Sequence, residues 1–224
     1  MINLHTHFKL PEGQTGLVSH PVQVEFLPEP GQYYSIGLHP WSVNEPLDGD
    51  WIAVLAHLSV HPQVLAIGEC GLDRSIETPL SMQEAAFTAQ AELAEKQQLP
   101  VILHAVRSYA DLLQIKKSIK TSVAWILHGY QGNPETTVQL AGHDFYFSFG
   151  ASLLKDLEKL NQSLRQVPSG HLFFETDESE VPVESIYNFA ASVLKIPVEE
   201  LKISTGNNFK SVFKKWETGR NGQH

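Results

Sequence analysis

Six side chains able to hold a cation recur along the chain, each closing a short apolar run. They are His5 and His7 in MINLHTH, Glu69 in VLAIGE, His104 in PVILH, His128 in AWILH and Asp177 in HLFFETD. Alternate residues of a strand share a face, so His5 and His7 project together, with Thr6 turned away, and can grip one ion. Imidazoles suit a transition metal, while carboxylates add charge and can bridge two ions. Such a set is what a metal-dependent hydrolase needs, and Glu69, between its two halves, is the expected bridge. A structural zinc site would use closely spaced cysteines. The chain has one cysteine, Cys70, which strand alternation turns to the face opposite Glu69.

Other residues near the same strand ends are candidates for lesser roles. His39, between a Gly-Leu run and Pro40, is expected to touch substrate, as is Asp73, whose alternative role is to bond a metal-binding imidazole. Arg107 and Lys155 are candidate phosphate contacts. Trp41 and Tyr130 are candidates for stacking on a base or for packing across the barrel mouth. Glu175 shares a face with Asp177 and is placed to orient a ligand from behind. His143 and His171 open strands and belong to the opposite rim, His57 and His61 belong to a helix or its end, and His20 and His224 fall in unpatterned segments.

The elements that position these groups alternate. Strands are expected at 2–6, 33–38, 64–69, 100–104, 123–128, 144–149, 171–176 and 201–205. Helical spacing or composition marks 51–60, 81–98, 108–119, 134–142, 152–166, 183–195 and 207–216. Eight such units in one domain point to an α/β fold, a closed parallel TIM (β/α)8 barrel, whose downstream strand ends form one rim. On that rim His5, His7, Glu69, His104, His128 and Asp177 would come from strands one, three, four, five and seven. The open doubly wound alternative would carry a glycine-rich turn after its first strand, where this chain has HTHFKLPEG. Residues 8–32 hold four prolines and little helical spacing, so the first crossover is expected to lack a regular helix. The barrel is expected to span 1–217, with 218–224 a frayed tail.

The chain has 224 residues, enough for one domain with a sizeable core. No run approaches the roughly 18 apolar residues of a membrane span, and no leader pattern opens the sequence, so a cytoplasmic location is expected. The net charge of −9 argues against broad electrostatic attachment to nucleic acid, but not against a small site whose positive charge comes from bound ions. No membrane and no obligate protein partner is called for.

Seven motifs, in order, resemble the TatD family of metal-dependent hydrolases: NLHTH (3–7), GLHPW (37–41), GECGLD (68–73), ILHAVR (102–107), ILHGYQG (126–132), ETD (175–177) and NFKSVF (208–213). The resemblance implies a divalent-metal enzyme of the deoxyribonuclease type, hydrolysing phosphodiesters of DNA or a small substrate. It also implies that His5, His7, Glu69 and Asp177 hold one ion and that Glu69, His104 and His128 hold a second. Zinc, magnesium and manganese all suit these donors. The ions would polarise a phosphoryl oxygen and acidify water, and Asp177 would accept its proton. Two features depart from the family. Arg107 follows His104 by three residues rather than two, and ETD, commonly followed by a proline and a longer loop, continues here ESEVPVES without the usual arginine-asparagine stretch. The alternative is an amidohydrolase acting on a small amide, ester or lactone. That group often bridges its metals with a carbamylated lysine, and Glu69 stands in that place here.

Overall fold

In the computed structural model, residues 1–44 and 50–216 are described. Eight parallel strands follow one another around a single sheet: β1 (Ile2–Thr6), β2 (Thr15–Pro21), β3 (Tyr34–Gly37), β4 (Val64–Asp73), β5 (Val101–Val106), β6 (Trp125–Leu127), β7 (Phe145–Phe149) and β8 (Leu172–Phe174). Seven coincide with expected runs. The sheet nearly closes into the expected barrel, because Thr6 at the end of β1 bridges in parallel to Asp177, just beyond β8. There His7 N–H donates to the Asp177 carbonyl at 3.2 Å and Asp177 N–H donates to the His5 carbonyl at 3.0 Å. Below this bridge the Asn3 amide donates to Thr176 Oγ1 and accepts the Thr176 N–H, both at 2.9 Å. The seam is therefore fastened where two of the candidate ligand segments meet.

Among the described residues seven α-helices cover the outside: α1 (Trp51–Ser59), α2 (Leu80–Gln97), α3 (Tyr109–Ile119), α4 (Pro134–Ala141), α5 (Glu158–Gln166), α6 (Val183–Leu194) and α7 (Val198–Val212). Two expectations are corrected. Residues 201–205, expected as the eighth strand, lie inside α7. Leu201, Thr205, Asn208 and Phe209 are its buried residues, a helical spacing, while Ile203 is 65% exposed. The eighth strand is instead β2, inside the stretch expected to be an irregular crossover. That stretch does lack a helix, so β1–β2 and β2–β3 are both joined by irregular chain. The helix expected over 152–166 is split: a 3-10 turn at Ala151–Lys155 ends at Asp156, whose φ is +49°, before α5 begins. The tail 218–224, with His224, lies outside the described residues.

Most apolar side chains pack between sheet and helices. A second cluster, including Leu4, Ala66, Ile102, Ile126 and Phe173, is joined by Phe209, Phe213 and Trp216 from the C-terminal segment. Asn208 ties that segment down by donating to the carbonyls of Ser169 and Leu172. No helix among the described residues is long and apolar enough to cross a membrane.

Candidate metal centre

The carboxylate of Glu69 is the hub of the upper rim. Every residue of β4 is buried, and the pairing of β4 with β5 shifts between Ile67 and Cys70, around Glu69. Glycine is required on both sides of it. A Cβ on Gly68 would stand 2.4 Å from the Ile102 carbonyl oxygen, and one on Gly71 would stand 2.2 Å from that of His104. The two glycines let β4 press against β5 while Glu69 projects into the mouth.

The two oxygens of Glu69 face different partners. Oε2 lies 3.4 Å from His5 Nε2 and 3.6 Å from His7 Nε2, and the same two nitrogens lie 3.6 and 3.4 Å from Asp177 Oδ1. Oε1 lies 2.6 Å from His128 Nε2, 2.9 Å from His104 Nδ1 and 3.2 Å from His39 Nε2. Donors about 2.0–2.2 Å from one tetrahedral ion stand roughly 3.3–3.6 Å apart, which matches the spacing around Oε2. The contacts at Oε1 are at hydrogen-bond range. Both ring nitrogens of His5 are buried and without a hydrogen-bond partner, an arrangement that costs free energy unless a cation fills it. Three sets of side chains have donor atoms all within 4.8 Å of one another: His5, His7 and Asp177; His5, Glu69 and His128; and His39, Glu69 and His104. In chemistry and spacing, these residues fit divalent ions.

Behind the inner residues stand two carboxylates. Glu175, fully buried, is 3.2 Å from His128 Nδ1 and accepts the Gly129 N–H, leaving its other oxygen unpartnered. Asp73 lies 3.4 Å from His104 Nε2 and accepts Trp41 Nε1–H at 2.8 Å, while Ser75 donates its backbone and side chain to the other oxygen. Burial opposes ionisation of Asp73, yet the bonds from Ser75, Trp41 and His104 hold it at about 2. Burial likewise opposes charge on Glu69, and His128, His104 and His39 overturn it, holding Glu69 well below the usual carboxylate range. Bonds to Asp177 and Glu69 raise His7 to about 10. Burial disfavours charge on His128, but Glu69 and Glu175 hold the imidazole well above its ordinary value.

The structure therefore brings His5, His7, Glu69, His104, His128, Asp177 and His39 together, on β1, β4, β5 and the ends of β3, β6 and β8. An open cavity of about 310 Å³ rises above them, walled also by Ser19, His20, Pro21, Trp41, Ser42 and Glu178. Arg107 and Lys155 are exposed and are not among its walls. Tyr130 is fully buried, with its hydroxyl 2.9 Å from Thr137, so it packs rather than stacks. Cys70 is buried, as expected. His20, expected in an unpatterned segment away from the site, is corrected: 15–21 is a strand, and His20 falls at its downstream end, among the cavity's walls.

The TatD related DNase family model matches residues 23–214. The match begins beyond β2, so His5 and His7 lie outside it. The chain is 32% identical over 148 residues to the uncharacterized metal-dependent hydrolase YabD of Bacillus subtilis, covering 65% of this chain and 58% of that one. It is 34% identical over 154 residues to the 3'-5' ssDNA/RNA exonuclease TatD of a Rahnella species, covering 63% and 55%. The matched stretches thus span little more than half the length of these relatives. Among solved structures, the TatD homolog YJJV of Escherichia coli superposes with a TM-score of 0.82 at 21% identity, covering 95% of this chain and 97% of that one.

Proposed function

The chain belongs to the TatD-related DNase family, and from that premise we propose that it is a divalent-metal-dependent phosphodiesterase acting on DNA ends or single strands. The observation that carries this reading is the division of Glu69, with Oε2 toward His5 and His7 and Oε1 toward His104, His128 and His39. We assign His5, His7, Glu69 and Asp177 to one ion, and Glu69, His104 and His128 to a second, with zinc, magnesium or manganese as the occupants. When bound, such ions polarise a phosphoryl oxygen and lower the pKa of water.

The remaining work falls to the chain. Burial opposes charge on Asp177, but His7, His128 and His5 keep its pKa below the ordinary value, so it is ionised near neutral pH. At the rim it accepts a proton from the attacking water. Glu175 and Asp73 fix the rings of His128 and His104 from behind. Asp73 is only 1% exposed and fully engaged, so its role is to position His104 rather than to touch substrate. Arg107, being outside the cavity walls, receives no substrate role.

The cavity supports a substrate engaged by its end. Its volume of about 310 Å³ is at the low end of the roughly 300–1,000 Å³ typical of small-molecule sites, room for a nucleotide unit and not for a duplex. Trp41, 62% exposed at its edge, offers a face on which a base can stack. The test is to offer the purified protein end-labelled single-stranded DNA and a panel of small esters, amides and lactones, with magnesium, manganese or zinc. Metal-dependent shortening of the DNA is expected. Turnover of carbonyl substrates without DNA loss would transfer the assignment to an amidohydrolase.

A further inference from the structure

Three histidines converge on Glu69 Oε1, and the partner of each ring's other nitrogen separates them. For His128 that partner is the Glu175 carboxylate, and for His104 it is Asp73. A carboxylate accepts, so in the neutral ring the proton sits on the outer nitrogen and the inner lone pair is available to a cation. For His39 the outer partner is a donor. Trp41 N–H bonds to His39 Nδ1 at 3.2 Å, capping the 3-10 turn Pro40–Ser42. Nδ1 therefore accepts, and the neutral ring must carry its proton on Nε2, the nitrogen 3.2 Å from Glu69 Oε1.

The surroundings hold that orientation. His39 follows β3, and its ring stands edge-on to those of His104 at 4.5 Å and Trp41 at 4.9 Å. Trp41 is in turn pinned through Nε1 to Asp73, which also faces His104. Among the described residues, none of the cavity's walls is lysine or arginine. With the imidazoles of His7 and His128 turned over to cations, an anionic oxygen entering this cavity meets no lysine or arginine there, and the His39 N–H that faces Glu69 Oε1 is a donor on its wall.

We propose that His39 is a hydrogen-bond donor to a non-bridging phosphoryl oxygen, through Nε2–H, and is neither a metal ligand nor the acid that protonates the leaving group. This deepens the phosphodiesterase reading and rests on it.

His39→Asn tests it, because asparagine keeps an acceptor for the turn N–H while removing the inner donor. Turnover is expected to fall about 10²–10³-fold, and to fall equally on a nitrophenyl phosphodiester and on a dinucleotide with an alkoxide leaving group. Bound metal per chain is expected to match wild type, and nitrogen-15 spectra of the metal-loaded wild type should place the His39 proton on Nε2. Loss of about one metal equivalent would make His39 a ligand, and loss confined to the dinucleotide would make it a general acid. A proton on Nδ1 would also overturn the proposal. If wild-type protein cleaves neither diester, the phosphodiesterase reading fails instead, while the tautomer and metal content still decide whether His39 is a non-ligand donor.

Discussion

Glu175 Oε1 stands 3.2 Å from His128 Nδ1, so a fully buried carboxylate holds the far side of a ring whose near nitrogen touches Glu69. Such a partner keeps the proton on the outer nitrogen and makes the inner one a better donor to a cation. Glu175→Gln preserves volume but removes that pull. Metal affinity is expected to fall about 10–100-fold, with the circular dichroism of the metal-free protein that of wild type. Calorimetric metal titration measures it, and an unchanged affinity would remove Glu175 from the metal centre.

His7 yields a dependence on pH. Its pKa in the folded protein, about 10, lies above the ordinary 6.5, so it gains stability from its bonds to Asp177 and Glu69 in the metal-free protein. That stability is fully present below the ordinary value and is lost as pH rises through the folded one. A cation bound at His7 must displace the proton, so apparent metal affinity should climb roughly tenfold per pH unit across that window. Urea denaturation of metal-free protein should show it weakening toward alkaline pH, with the metal-loaded protein holding nearly level. Parallel curves for the two forms would contradict the assignment.

Asp177 is tied to the barrel seam by its backbone, which leaves its carboxylate separable by mutation. Asp177→Asn retains those backbone bonds and an oxygen near His5 and His7, but loses the basic group. Turnover is expected to drop by about 10²–10⁴-fold, while circular dichroism remains that of wild type. Near-normal rates would defeat the role of base.

The rim was legible because each inner ligand ends an apolar run, and a parallel barrel gathers strand ends whatever their distance in sequence. Residues 15–21 were hidden because TGLVSHP mixes glycine, serine and proline, and as β2 it is only partly buried, with no helix in the flanking connections. The segment LKIST misled in the opposite sense: its β-branched residues suggest a strand, but Pro197, Glu199 and Glu200 open a helix whose buried spacing continues to Phe209. The tautomer of His39 depends on a backbone N–H two residues away, which no residue pattern reveals. In a strand Leu201, Ile203 and Thr205 would share a face, whereas in α7 Ile203 is on the outside. Ile203→Lys should therefore change stability by about 0.5 kcal/mol or less, and Leu201→Ala should cost about 2–5 kcal/mol. Similar losses from both would argue for the strand.

Trp41 combines exposure with a fixed orientation, since its Nε1–H is bonded to Asp73 Oδ2 at 2.8 Å while 62% of the residue remains open to solvent. An exposed indole held in place at a cavity edge stacks on a base without first being ordered, and such stacking contributes about 1–3 kcal/mol per base. Trp41→Ala should thus raise KM for a short single-stranded oligonucleotide about 5–150-fold, with little change for the same oligonucleotide carrying an abasic end. Trp41→Phe keeps an aromatic face but drops the bond to Asp73, so it should recover part of the affinity. If the alanine variant loses as much on the abasic substrate as on the intact one, Trp41 acts by holding Asp73 and His104 in place, and base recognition must come from elsewhere on the rim.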